Sequence, residues 1–340
     1  MNTATPSHTI EHLHTAIDLF QRRIQLLRRS LEQTLVGQEP LINQLLIAIF
    51  SGGHVLLEGL PGLGKTHLAK ALARSLAVTL GRIQCTPDLM PADITGSELL
   101  VTDPIHHKQQ LHFSPGPIFA PLVLVDEINR ATPKTQAALL EAMQENQVTH
   151  GGISHPLPRP FWVIATQNPI ELEGTYPLPE AQLDRFLFKL IIALPSAENL
   201  VRMVDLSLDQ EPADLIGAVI SPAETAEMMN LGKEVLISEA IKQGAVRLIL
   251  ATHPAHELAH PLVRQYLRYG ASPRGLQAIL RAARISALID KRAHVAFEDI
   301  AYVVTPALRH RLQLNFNSEL EGISIDTVLN EVLEQWQRTL

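Results

Sequence analysis

The chain has 340 residues, 46% hydrophobic and 19% charged, with 28 Lys and Arg against 35 Asp and Glu and a formal net charge of −7. That much apolar surface excludes intrinsic disorder as the main state, and the acidic balance argues against a protein held to nucleic acid chiefly by counterion release. One cysteine, Cys85, excludes a disulfide framework and a multi-thiolate metal site, and 4% aromatic residues is too few for a base-stacking surface.

At roughly 150 residues per domain the length favours two domains. Met1 to His8 carry no Lys or Arg and no apolar core, so they do not read as a signal peptide. No unbroken apolar run approaches the ~18 residues of a membrane span, and Gln335 to Leu340 carry no lipidation pattern. The expectation is a cytoplasmic protein.

Ile10, Leu13, Ile17, Phe20, Ile24, Leu27 and Leu31 recur at steps of three and four, one stripe of a long amphipathic helix. Arg22 and Arg29 fall opposite the stripe and Arg23 and Arg28 flank it, as expected of a solvated face. Val36-Gly37-Gln38-Glu39-Pro40 breaks that helix, and Pro40 suits the first turn of a new one reaching about Ser51. From His54 to about Ala193 strands and helices alternate. Strand candidates are His54 to Glu58, Gly81 to Cys85, Leu122 to Asp126, Phe161 to Thr166 and Phe188 to Leu194, with a helix from Thr66 to Leu76. Such alternation implies an α/β fold, a mostly parallel buried sheet with helices on both faces. Past Pro195 helical periodicity takes over: Pro195 to Asp209, Ala223 to Leu231, Ser238 to Thr252, Pro273 to Asp290, Phe297 to Val304 and Ser324 to Trp336. Three parts are expected: an N-terminal helix over 1–35, an αβα core over 36–195 and an all-α region over 196–340.

The chemistry concentrates in the α/β part. Gly59-Leu60-Pro61-Gly62-Leu63-Gly64-Lys65-Thr66 fits G-x-x-x-x-G-K-[ST], with an apolar strand before it and a helix after it. Glycines let backbone N–H groups turn inward around phosphate oxygens, and the helix N-terminus adds positive potential. Lys65 would reach the β- and γ-phosphates and the Thr66 hydroxyl would complete a Mg²⁺ shell. The second half of such a site is an acidic residue ending another apolar strand. Asp126, closing Leu122-Val123-Leu124-Val125, would hold Mg²⁺, and Glu127 would polarise an attacking water. A second carboxylate there argues for hydrolysis over simple binding. Asn168 closes the next apolar run and either orients the water or makes a turn before Pro169. Arg185, in Ala181-Gln182-Leu183-Asp184-Arg185-Phe186, either reaches a neighbouring subunit's γ-phosphate or pairs with Asp184 or Glu180.

With these residues in hand the chain closely resembles MoxR-type ATPases of the AAA+ superfamily from Val36 to about Leu312. The motifs that carry the resemblance are Gly59 to Thr66, Thr86 to Gly96, Pro115 to Ala120, Asp126 to Ala131, Lys134 to Glu145, Ala165 to Ile170 and Glu173 to Phe186. The resemblance implies that Lys65 and Thr66 are the Walker A pair, Asp126 and Glu127 Walker B, and Asn168 sensor 1. It implies that Arg185 is an arginine finger acting in trans and that Arg274 is sensor 2, opening a lid helix. Val36, Gly37 and Gln38 resemble the segment lying against adenine, so the nucleotide-binding set is these three, Gly59 to Thr66, His67 and Arg274, with Thr66 and Asp126 on the metal. The cofactors implied are ATP and Mg²⁺, and the assembly implied is a homo-hexameric ring. The setting implied is chaperone-like maturation of protein complexes, alongside a partner with a von Willebrand factor A domain and a protein client. Any contact with a membrane is expected to run through partners, and no nucleic acid is expected. A nucleic-acid motor, a metal-chelatase-type motor subunit and a non-hydrolysing scaffold are the alternatives.

Two insertions stand out. Gly151-Gly152 between Gln147 to His150 and Ile153 to Leu157 signals a tight hairpin, similar to the pre-sensor-1 hairpin of this branch. Ile94 to Phe113 resembles the helix-2 insertion, with His106, His107 and Lys108 near its tip as either client contacts or a solvated loop. Among fifteen histidines, His253, His256 and His260 are spaced three and four apart, but Pro254 breaks any helix through them, and they read as loop residues rather than zinc ligands.

Overall fold

The computed structural model describes residues 6–102, 109–170, 174–207 and 216–339. Helix α1 (Pro6–Glu32) buries Ile17, Phe20, Ile24, Leu27 and Leu31, the expected stripe. Arg23 departs from the expectation of a solvated face. Its side chain is largely buried and pairs with Glu224 at 2.6 Å and Glu227 at 3.3 Å, because a stripe's flank lies in the seam with the next helix and a long arginine stem packs along apolar surface.

Helix α2 (Glu39–Phe50) begins with Pro40 in its first turn. There follow β1 (His54–Glu58), α3 (Lys65–Ser75), β2 (Leu80–Gln84), α4 (Pro91–Thr95), the hairpin β3 (Gly96–Thr102) and β4 (Gln109–Pro115), β5 (Leu122–Asp126) and α5 (Pro133–Glu145). The hairpin β6 (Gln147–His150) and β7 (Ile153–Pro156), β8 (Trp162–Gln167), α6 (Glu180–Leu183) and β9 (Phe186–Ile191) complete the α/β part. Gly151 and Gly152 both take positive φ, as a primed hairpin turn requires. The last sheet strand begins at Phe186, two residues ahead of the expected Phe188, because Phe186 already pairs with His54 of β1 across a bulge.

Five strands form one parallel sheet in the order β2-β5-β8-β1-β9. Side chains alternate across it. Val55, Leu57, Leu122 and Leu124 face one apolar core with α1, α2 and α3, whereas Leu56, Val123, Val125 and Val163 face a second core with Leu139, Leu140 and Met143 of α5. Because β1, β5 and β8 are buried on both faces, they read as apolar runs, whereas the edge strand β2 buries only Ile83.

Helices α7 (Ala197–Ser207), α8 (Pro222–Glu234), α9 (Glu239–Ala251), α10 (Pro261–Tyr266), α11 (Pro273–Ile289), α12 (Phe297–Leu308), α13 (Phe316–Glu321) and α14 (Ile325–Arg338) follow. This part is not purely helical. β10 (Leu267–Tyr269) pairs antiparallel with β11 (Gln313–Leu314), strands too short to leave a periodic signal. Helix α12 passes through Pro306 to Leu308 instead of ending at Val304. The core of α8, α9, α11, α12 and α14 is continuous with that of α1 to α3. Among the described residues no helix is long and apolar enough to cross a membrane.

His310 is buried where α12 meets the sheet, and its Nε2–H donates to the Phe186 carbonyl at 3.0 Å. Burial, with Arg311 beside it, holds its pKa well below 6.5. The unfolded chain therefore binds a proton below pH 6.5 that the folded chain refuses, so stability falls as pH drops, by up to about 1.4 kcal/mol per unit for this group. His310→Gln, which keeps a donor, is expected to flatten the decline in melting temperature between pH 6.5 and 4.5.

Candidate nucleotide site

The carboxyl ends of β1, β8 and β5 lie side by side, and the residues after them share one edge of the sheet. In open parallel sheets this edge is where ligands bind. Gly59 to Gly64 turns from β1 into α3. Gly62 and Gly64 both stand at φ +80°, the left-handed region open to glycine. At Gly62 a Cβ would meet nothing within 4 Å, so the requirement there is the turn itself. Pro61 and Gly62 are exposed, while Leu60 and Leu63 pack into the core and anchor the loop. The Lys65 ammonium donates to the Gly59 carbonyl, which draws its stem back across the loop. Thr66 and His67 occupy the first turn of α3. Leu35, directly before Val36 to Gln38, packs against this loop. Leu35 Cδ1 comes 3.4 Å from where a Gly64 Cβ would stand, and Gln38 Nε2 donates to the Ala193 carbonyl at 3.0 Å. Gly37 takes φ +72°, where a side chain is strained, and a Cβ there would displace the Asn199 amide.

Asp126 ends β5 almost fully buried. Glu127 follows in a left-handed conformation, φ 56° and ψ 52°, which costs a non-glycine residue roughly 1 kcal/mol. Its N–H donates to Thr166 Oγ1 at 2.8 Å, and that hydroxyl lies 3.5 Å from Asp126 Oδ1. One threonine on β8 thus ties both acidic residues. The Glu127 carboxylate meets Arg130 at 3.2 Å and Gln84 at 3.5 Å, and Arg82 meets Asp126 at 3.0 Å. The buried Cys85 thiol is pushed up to about 12 by burial and by the carboxylates of Asp126 and Glu127, so it is inert at neutral pH. Asn168 is buried just beyond β8, and its Oδ1 accepts from the Ile170 N–H at 3.2 Å, the turn anticipated before Pro169.

This edge fits a magnesium nucleotide. A loop with two left-handed glycines opens onto solvent at a helix start, an ammonium and a hydroxyl follow it, and a buried carboxylate supplies the hard oxygen that Mg²⁺ prefers.

Arg185 and Arg274 lie elsewhere. Both line a cavity of about 350 Å³ with Arg281, Arg311, His54 and Gln144. The cavity opens at the amino ends of β1 and β9, since His54 registers with Phe186. Five residues of β1, roughly 16 Å of strand, separate that edge from the phosphate loop. Arg185 donates to Gln144 Oε1 at 3.0 Å, not to Asp184 or Glu180. Asp184 instead accepts from Arg311 Nε at 2.6 Å and from Ser272 Oγ at 3.1 Å, with Arg274 at 3.8 Å. Arg274 therefore stands at the opposite edge from the phosphate loop, where the Ser272 and Arg311 contacts to Asp184 fasten the start of α11.

Sequence reasoning missed Arg82, Thr166, Asp184, Ser272 and Arg311. Thr166 sits two residues before Asn168 on the same strand, and Asp184 directly precedes Arg185. Arg82 and Arg311 carry no local signal, because only pairing and lid placement bring them to their carboxylates. His253, His256 and His260 bond backbone groups of turns, and His106, His107 and Lys108 lie outside the described residues.

Replacing Thr166 with Val leaves the Glu127 N–H without its acceptor. The expected result is a loss of about 1–3 kcal/mol in denaturant unfolding, and turnover lost more than nucleotide affinity.

Residues 54–188 match the family of ATPases associated with various cellular activities, and residues 260–332 match the AAA lid domain. The chain is 38% identical to Chaperone MoxR1 of Mycobacterium tuberculosis, covering 98% of this chain and 87% of that protein. It is 30% identical to Protein MoxR of Paracoccus denitrificans, covering 84% and 87%. A solved structure of a protein assigned as an ATPase, from Cytophaga hutchinsonii, superposes with a TM-score of 0.86 at 36% identity, covering 96% and 98%. A phosphate loop, a paired acidic strand end and a helical lid, together with these family matches and relatives, make the chain a member of the MoxR family of AAA+ ATPases.

Proposed function

We propose that this chain hydrolyses ATP to ADP and phosphate in a ring of identical subunits and spends the resulting change of shape on a protein client. The reading is carried by one observation. The phosphate loop and acidic pair occupy one edge of the sheet, while Arg185 and Arg274 occupy the other. A subunit thus bears one half of a site on each edge, and a closed head-to-tail ring brings unlike halves together. A hexamer is the ring implied by the family resemblance.

In this reading Lys65 and the loop N–H groups hold the β- and γ-phosphates, and Val36 to Gln38 flank the base. Thr66 and Asp126 hold Mg²⁺, which when bound neutralises charge developing on the phosphates. Glu127 accepts the proton of the attacking water and Asn168 orients that water. Both carboxylates are reached through Thr166, so Thr166 keeps Glu127 aimed. Arg185 and Arg274 enter the neighbour's site and meet the transferring group's charge. Residues 1–35, 36–195 and 196–340 then act as a brace, a nucleotide core and a lid.

The two insertions supply the client surface. Phe113 of β4 stacks on His155 of β7 with ring centres 4.0 Å apart, which joins the hairpins. Leu100 and its cross-strand partner Leu111 are 59% and 66% exposed. The name of the mycobacterial relative supports a chaperone role, and a von Willebrand factor A domain partner follows from the family resemblance alone.

Lys65→Ala is expected to abolish nucleotide binding, whereas Glu127→Gln binds ATP and does not turn it over. Material retained by the Glu127→Gln chain with ATP, with a nuclease-treated control, identifies the client. Recovery of nucleic acid there would replace the remodelling reading with a motor. Arg185→Ala and Lys65→Ala chains, each inactive alone, are expected to regain a fraction of turnover when mixed, because intact halves then meet at some interfaces. No recovery in mixed rings, or normal turnover by Arg185→Ala alone, defeats the shared-site reading.

A further inference from the structure

Asp126 is already paired. Gln84 of β2 registers with Asp126 of β5, and Arg82 points from two residues earlier along the same strand. Arg82 Nε donates to Asp126 Oδ2 at 3.0 Å, and Arg82 Nη2 also lies 3.0 Å from that oxygen. Nη2 donates further to Gln84 Oε1 at 3.0 Å, and Gln84 Nε2 reaches Glu127 Oε2 at 3.5 Å. The two partners differ in exposure: the Arg82 side chain is 55% exposed and that of Asp126 9%. An ion pair this open adds little to stability, so its placement on this particular carboxylate asks for another reason.

We propose that Arg82 is the resident counter-cation of Asp126. It neutralises the carboxylate while no metal is held, and the divalent cation arriving with nucleotide displaces it. This rests on the reading of Asp126 as a metal holder. A guanidinium offers donors and no acceptor, so it cannot bridge to a metal. It repels a cation approaching the same oxygen. Arg82 can leave, because its long stem is half in water, while Asp126, buried at the strand end, cannot follow. Without metal, the guanidinium also removes the repulsion between Asp126 and a polyphosphate. Arg82 thus sets the Mg²⁺ concentration at which the site loads, and it is a positioning residue rather than a catalytic one.

The two effects have opposite signs, which gives a test that a purely structural role fails. The affinity of the full chain for a fluorescent ADP is measured from excess EDTA to millimolar Mg²⁺. Arg82→Gln is expected to bind several-fold more weakly in EDTA, yet to reach half-saturation at about two- to fivefold lower Mg²⁺, the range a half-exposed ion pair supports. Arg82→Lys, which keeps the charge, stays within about twofold of the parent at both ends. Arg82→Met, which keeps the stem, replaces Arg82→Gln if that chain fails to fold by circular dichroism. Equal weakening at every Mg²⁺ concentration, or a raised Mg²⁺ midpoint, overturns the proposal. Asp126→Asn separates the two layers. An unchanged Mg²⁺ midpoint in that chain removes Asp126 from the metal site altogether. A raised midpoint that Arg82→Gln no longer lowers in the same background supports both readings.

Discussion

The contact on which the arrangement of both edges turns is the ion pair between Asp184 and Arg311. Arg311 is almost wholly buried, and it donates to the Asp184 carboxylate and to the backbone carbonyls of Asp184, Phe186 and Leu187. A buried charge is tolerable only when its donors are matched this fully. Asp184 also takes the Ser272 hydroxyl, so one carboxylate fastens the chain just past α12 and the start of α11 to the turn before β9 that carries Arg185. The lid's orientation, and with it the position of Arg274, follows from that joint.

The consequence is a molecule with two unlike faces. At one edge backbone N–H groups, an ammonium and two carboxylates converge. At the other, arginines surround a cavity with Asp184 among them. The sheet between them is parallel throughout, and its inner strands β5, β8 and β1 are buried on both faces. Leu35 packs against Gly64 of the phosphate loop, and three residues on Gln38 bonds the Ala193 carbonyl of the β9–α7 connection.

The acidic pair shows how function is set against local cost. Glu127 is held in a left-handed conformation by Thr166, and Asp126 is held against Arg82. Neither arrangement is what an isolated strand end would adopt. Strain and unusual pairing collect where geometry must be exact for chemistry, and here both are supplied from neighbouring strands rather than from the motif itself.

The strands of the main sheet, the helices on both its faces and the phosphate loop were legible along the chain. Their causes are local: a buried parallel strand must be an apolar run, an amphipathic helix must repeat near 3.6, and a turn around phosphate needs glycines at fixed offsets. Val55 and Leu56 facing opposite cores, or Gly62 and Gly64 at positive φ, follow from such rules. Arg23 in a helix seam, Thr166 under Glu127, Arg82 on Asp126, and Arg274 at the far edge did not. Each depends on which strand lies beside which and on how the lid is fastened. Strand order places β2 next to β5 across 42 residues of sequence from Gln84 to Asp126, and Arg311 meets Asp184 across 127. Periodicity reports which side of an element is buried, but not what it is buried against; that was decided only when packing brought distant charges into the same low-dielectric space.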